Sequence, residues 1–266
     1  MSDTPQHVNP LLERLRIPGE TFRLPSQGIF YLNGELADGV KNGEVEVHPM
    51  TAIDEIILST PDKLLSGKAI AEIFTHCIPQ VIKPTELIAK DVDFLLVCLR
   101  LVSFGPQMEV TYQHTCPGAL NHTYQVDMQK MIRSTKSIDP TTVNEEYKAT
   151  LPNGQLATLK PLTYGNVIEL YQSAALTKTD NITQDEAEML VINTLASVVR
   201  RVDDTEDKAF IREWVTMLPL GWKRNLEQAA QNITQWGVDF TTQQTCQDCK
   251  EEMVVQVAAN PVSFFT

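Results

Sequence analysis

The chain has 266 residues, with 22 Lys and Arg against 34 Asp and Glu, a formal charge of −12 and 42% hydrophobic residues. A chain of this size and composition is neither disordered nor fibrous, and it buries roughly 70–75% of its unfolded surface on folding, enough for one domain or two. The acidic balance argues against nucleic acid and membrane surfaces as partners, because both are anionic.

No apolar run reaches the roughly 20 residues that span a bilayer, since the longest, Val92 to Leu99, ends at Arg100. The start, Met1-Ser2-Asp3-Thr4-Pro5, lacks a basic and apolar leader pattern, so the chain is expected in the cytosol when made. Five cysteines, an odd number, favour thiols or metal ligands over a disulfide framework.

Residues 1–42 read as an extended N-terminal arm. Pro5, Pro10, Pro18 and Pro25 interrupt regular structure and leave room for a short helix around Leu11 to Leu15. Ile17, Phe22, Leu24, Ile29, Phe30, Tyr31 and Leu32 are too many to leave in water at about 1.5–3 kcal/mol each. The arm should therefore lie against the body of the chain or a neighbouring subunit.

Residues 43–106 read as a small mixed α/β domain. Val45-Glu46-Val47 alternates like a strand, and Thr51 starts a short helix with Ile53, Ile56 and Ile57 on one side. Ser66 is placed to cap a helix carrying Ile70, Ile73 and Phe74, and a core helix is predicted over 90–102 before Gly105-Pro106.

Strands follow over 108–112 and 123–128, flanking Cys116-Pro117-Gly118, and a hairpin over 147–159 turns at Pro152-Asn153-Gly154. The period then lengthens, predicting helices over 163–175, 184–202, 205–217 and 222–236 with Thr183 and Asp204 as caps. Strand alternation returns at 253–257. The class expected is α+β: the arm, the mixed region, a zinc-ribbon-like β module made of 107–130 and 238–266, and a hairpin plus helical insertion over 131–237.

The sharpest chemical signal is Cys246-Gln247-Asp248-Cys249 between two strand-like runs. A redox Cys-x2-Cys needs its first thiolate at a helix N-terminus, whereas a zinc knuckle needs a tight turn between strands. The valines at 254, 255 and 257 favour the second. Setting Cys116 against Cys246 places His122 opposite Cys249 across a longer turn, which gives a structural zinc site of Cys116, His122, Cys246 and Cys249. His114, two residues before Cys116, competes for the fourth position. A knuckle that keeps its hairpins without metal, and thiol redox chemistry, are the alternatives.

Cys77 and Cys98 sit in apolar helical runs and read as core thiols. The acidic run 203–207 reads as a solvated helix start, His76 as a packed or surface histidine, and Trp214, Trp222 and Trp236 as core or interface anchors. Phosphate loops, Gly-x-Ser-x-Gly elbows and His-Glu-x2-His helices are all missing from the sequence.

An ordered series of short motifs adds a resemblance. It runs from the arm segment 18–31 through Gly43-Glu44-Val45-Glu46-Val47-His48-Pro49-Met50-Thr51, Asp54-Glu55, Lys83-Pro84 and Asp91-Val92-Asp93-Phe94. It continues through Cys116, Leu151-Pro152-Asn153-Gly154, the Cys246 to Cys249 knuckle and Phe264-Phe265. Over most of its length the chain resembles baseplate hub and hub-assembly proteins of T-even-type contractile-tailed bacteriophages. Such proteins commonly carry Cys-x2-Cys in the first knuckle, where this chain has Cys116 and, further on, His122.

The resemblance implies a non-enzymatic role in the tail, as a subunit of the mature baseplate or an assembly chaperone absent from the virion, with other baseplate or tail proteins as partners. It implies residence in the virion tail baseplate, and in the host cytoplasm during assembly. A zinc-ribbon nucleic-acid-binding regulator is the reading from another class, and the charge opposes it.

Overall fold

The computed structural model describes residues 17–116, 120–141, 143, 147–176, 183–258 and 264–265. The short helix expected around Leu11 to Leu15 lies outside the described residues.

The chain enters as β1 (Glu20–Arg23), which pairs antiparallel with β2 (Glu44–Val47), Phe22 lying opposite Val45. Leu24, Val45 and Val47 are buried. The connection doubles back where Gln27 and Gly28 adopt φ of 53° and 77° against Gly43 at 68°. A Cβ at Gly43 would lie 2.8 Å from the Gln27 carbonyl carbon and the Gly28 nitrogen, so this close backbone approach needs glycine.

Helices α1 (Ala52–Leu58), α2 (Pro61–Leu65), α3 (Lys68–Cys77) and α4 (Ala89–Phe104) follow. Helix α4 buries Val92, Phe94, Leu95, Leu96, Val97, Cys98 and Leu99, too many for one face, and so runs through the first core. Phe264 and Phe265 pack into the same core. Thr51 does start α1, its N–H and hydroxyl donating to Asp54 Oδ2 at 2.8 and 2.7 Å. The burial differs from the expected stripe: Ile57 and Leu58 turn inward, while Ile53 and Ile56 stay 65% and 67% exposed. Ser66 closes α2, and the residue before α3 is Gly67 at φ 70°. A Cβ there would meet the Ile168 side chain at 2.2 Å.

Beyond α4 come the hairpin β3 (Gln107–Gln113) and β4 (Asn121–Asp127), then α5 (Met128–Arg133). Next are β5 (Lys148–Thr150), β6 (Leu156–Leu159), α6 (Tyr164–Leu176), α7 (Gln184–Val198) and β7 (Val199–Val202). Last are α8 (Lys208–Met217), α9 (Leu220–Asn232) and the hairpin β8 (Thr241–Thr245) with β9 (Glu252–Gln256). The described architecture is α+β, with small antiparallel sheets and a largely helical stretch between the β3–β4 and β8–β9 hairpins.

Two departures from the expected helices have local causes. The helix predicted to run through Val202 stops at Val198, and the next four residues join β6 as β7. Val199 and Val202 are buried while Arg200 and Arg201 face out, a pattern that suits β-branched residues on a sheet. Thr183 caps α7 in a capping box with Glu186, as expected, but α8 is capped by Asp207 instead of Asp204. The Asp207 carboxylate accepts the Ala209 and Phe210 N–H groups at 2.8 and 3.1 Å.

A second core gathers Leu159, Val199, Ile211, Leu226 and Trp236 from the β5–β6–β7 sheet, α8, α9 and the chain after α9. The Trp236 indole N–H lies 2.8 Å from the Ile233 carbonyl and 3.2 Å from the Tyr147 hydroxyl oxygen. Phe30 stacks on Tyr147 at 5.8 Å, and Tyr31 packs against both cores, so residues 29–31 bridge them.

Candidate metal centre

Two hairpins build the site. In β4 Tyr124 and Val126 are buried, and in β9 Met253 and Val255 are buried, each pair on one face of its strand. Tyr124, Met253, Val255 and Cys246 form a small third core with Val110, Tyr112 and Cys116 against it. Gln244 Nε2 donates to the Gln125 carbonyl at 3.0 Å, and the Gln247 side chain and N–H reach the Thr123 carbonyl and the Tyr124 hydroxyl at 3.4 Å. The register brings the end of the first hairpin onto the turn of the second.

There, Sγ of Cys116, Cys246 and Cys249 and a ring nitrogen of His114 all lie within 4.8 Å of one another. The Cys116 and Cys246 sulfurs are 3.9 Å apart, and His114 Nδ1 is 3.4 Å from Cys249 Sγ. A tetrahedral zinc with bonds of about 2.3 Å to sulfur and 2.0–2.1 Å to nitrogen has ligand–ligand edges of about 3.8 Å and 3.6 Å. The donor set and its spacing therefore fit zinc. Three soft sulfurs and one imidazole also match the ligand preference of a structural site.

The second turn is shaped for this. Cys246 N–H donates to the Glu251 carbonyl at 2.9 Å and Lys250 N–H to the Cys246 carbonyl at 3.1 Å, with Lys250 at φ 63°. The Cys249 and Asp248 N–H groups point at the Cys246 sulfur and, despite the opposing effect of burial, hold its thiol down to about 7. Loss of hydration, then the sulfurs of Cys249 and Cys246, push Cys116 up to about 11. One thiolate is thus stabilised by backbone dipoles, and ionising the others beside it calls for a cation.

His122, expected as the fourth ligand, is not in this group; the structure seats His114 there. His122 pairs with Tyr112 inside the β3–β4 ladder and shares the face of Tyr124. Its Nε2 lies 3.0 Å from Asp248 Oδ2, which also accepts the Leu120 N–H at 3.0 Å. These contacts, the Leu120 N–H first, hold the Asp248 carboxyl below its usual range. His114 sits just past the end of β3 at Gln113, outside the ladder, and can turn toward the sulfurs. His122 instead straps the two turns together through Asp248.

The remaining candidates fall out as structural. Cys77 and Cys98 are buried, and burial pushes the Cys77 thiol up to about 12 and Cys98 well above its usual value. His76 Nδ1 pairs with Asp54 Oδ1 at 3.0 Å. Residues 203–207 are exposed around the start of α8.

One buried polar group escapes the sequence reading. Asp91 on α4 is fully buried; its Oδ1 accepts the Ser26 N–H at 3.0 Å, and its Oδ2 accepts the Tyr31 hydroxyl. The Tyr31 oxygen in turn accepts the Ile88 N–H at 3.0 Å. Burial pushes the Asp91 carboxyl up to about 6 against the hydrogen bonds from Ser26 and Tyr31. The available signal was an aspartate at the head of an apolar helix, opposite an arm that carries a tyrosine.

Fold and site together define an α+β protein in which two zinc-ribbon-like hairpins, far apart in sequence, bring a Cys3His group together. Residues 32–266 match the family described as T4 bacteriophage base plate protein, and the chain belongs to that family. Neither the comparison with curated proteins nor that with solved structures returns a match. Membership makes this a phage baseplate protein whose partners are other tail and baseplate proteins. Among the described residues no helix is long and apolar enough to cross a membrane.

Proposed function

We propose that the chain is a non-enzymatic structural or assembly component of the baseplate hub, clasped by a structural zinc on His114, Cys116, Cys246 and Cys249. The family match over residues 32–266 carries this reading. The hub assignment draws on the motifs of the arm and the terminal knuckle. Residues 107–130 and 238–266 act as one clasped module, and 131–237 as its insertion. Zinc supplies a fixed tetrahedral junction. His122 and Asp248 hold the two turns in register around it.

The protein is made in the host cytoplasm and resides in the virion tail baseplate. Quantitative mass spectrometry of purified particles tests this, with the chain expected at a stoichiometric level in tails. Its presence in infected cells but not in particles would instead make it an assembly chaperone. Salt-sensitive DNA binding by the purified chain would point to a zinc-ribbon nucleic-acid-binding regulator.

A further inference from the structure

We propose that the cleft between residues 29–33 and the β5–β6–β7 sheet is a docking site for an acidic peptide segment of a partner protein, one carrying an apolar side chain beside its carboxylates. The cleft has a volume of about 580 Å³, and among the described residues its charged lining is Lys148, Lys160, Arg200 and Lys208 with one carboxylate, Glu86. Those five side chains sum to +3 (four cations minus one anion), so the rest of this −12 chain carries −15.

The cations are placed by the fold. In β7 Val199 and Val202 are buried while Arg200 is exposed, at the register shift opposite Thr158 and Leu159, and Lys160 follows β6 directly. Among the described residues none of the four takes part in an ion pair within 4.0 Å. Lys208 Nζ donates to the Val199 carbonyl at 3.0 Å; burial, then Lys160, then Arg200 hold that ammonium below its ordinary range, with Glu206 opposing. Like charges gathered in a cleft repel one another and focus a positive potential on whatever enters.

The opposite wall is apolar: Leu32 is 82% exposed at the cleft. Carboxylates of the occupant would face the cations while an apolar side chain covers Leu32. A nucleic acid fits less well. The surrounding charge repels its backbone, and the Phe30 ring is already stacked on Tyr147 and Trp236 instead of lying open to bases.

The proposal rests on the reading that the chain works through protein contacts, yet it fails separately: absence from particles would not abolish peptide binding. Fluorescence anisotropy of the full chain with a labelled peptide of alternating Glu and Leu is the test. Saturable binding is expected, weakened by salt and weakened roughly tenfold or more by Lys160→Glu combined with Arg200→Glu. Lys130→Glu, outside the cleft, should leave it unchanged. The neutral pair Lys160→Gln and Arg200→Gln serves if charge reversal disturbs folding, as read by circular dichroism. No saturable binding, binding that these pairs leave intact, or equally tight binding of labelled single-stranded DNA would overturn the proposal.

Discussion

On the proposed zinc site, the two histidines near Cys116 have different roles, one as a ligand and one in positioning. His114 reaches the sulfurs, whereas His122 reaches Asp248. His114→Ala is therefore expected to lower the zinc content of purified protein. His122→Ala should retain zinc but hold it roughly 10–100-fold more weakly, the range typical of lost outer-sphere support. Competition with a chromophoric chelator distinguishes the two. That Cys246 and Cys249 come together was legible from sequence because their spacing is a property of the turn itself, and the structure brings Cys116 to them. Which histidine lies beside the sulfurs was not legible, because that depends on where the β3–β4 ladder ends. Asp91 makes a second residue-level prediction. Its folded carboxyl sits near 6 and an unfolded aspartate titrates near 3.9, so between about pH 4 and 6 the folded chain holds the extra proton. Stability from this group is expected to rise as pH falls through that window and to be lost as pH climbs above it. Half-buried Asp93, which desolvation also pushes up to about 6, adds a slope of the same sign, so Asp91→Asn should flatten the dependence without abolishing it. Denaturant titrations at several pH values read this out.

At the scale of elements, docking of the arm depends on backbone fit as much as on apolar area. Gly43→Ala forces a Cβ against the Gln27 and Gly28 backbone at φ 68° and is expected to destabilise by about 1–3 kcal/mol, read as a shift in denaturant midpoint with unchanged slope. Tyr31→Phe removes the hydroxyl between Asp91 and the Ile88 N–H and should cost a similar amount, about 1–3 kcal/mol. Apolar periodicity made most elements readable, including α4 and the β3–β4 hairpin. It failed where side-chain pattern is shared between states. Val198 to Val202 extends a helical stripe equally well as a strand, and only pairing with β6 decides for β7. The exposure of Ile53 and Ile56 on α1 was likewise invisible, because an isoleucine on a short helix says nothing about which side meets the core.

Over the whole molecule, the Cys116–Cys246 contact joins residues 130 positions apart, so a metal held there would close the chain around its helical stretch. Cross-links over long loops act mainly on the unfolded state, and a structural zinc adds its binding free energy to folding. The acidic charge that argues against nucleic acid is compatible with that role, since a clasp needs no anionic partner. The measurement that tests the account most directly is native mass spectrometry of the full chain, purified without chelator, paired with thermal unfolding before and after metal removal. One zinc per chain is expected, lost in Cys246→Ser, with a lower unfolding temperature once the metal is stripped. A chain that carries no zinc as purified, or an unfolding temperature unchanged by stripping the metal, would contradict it.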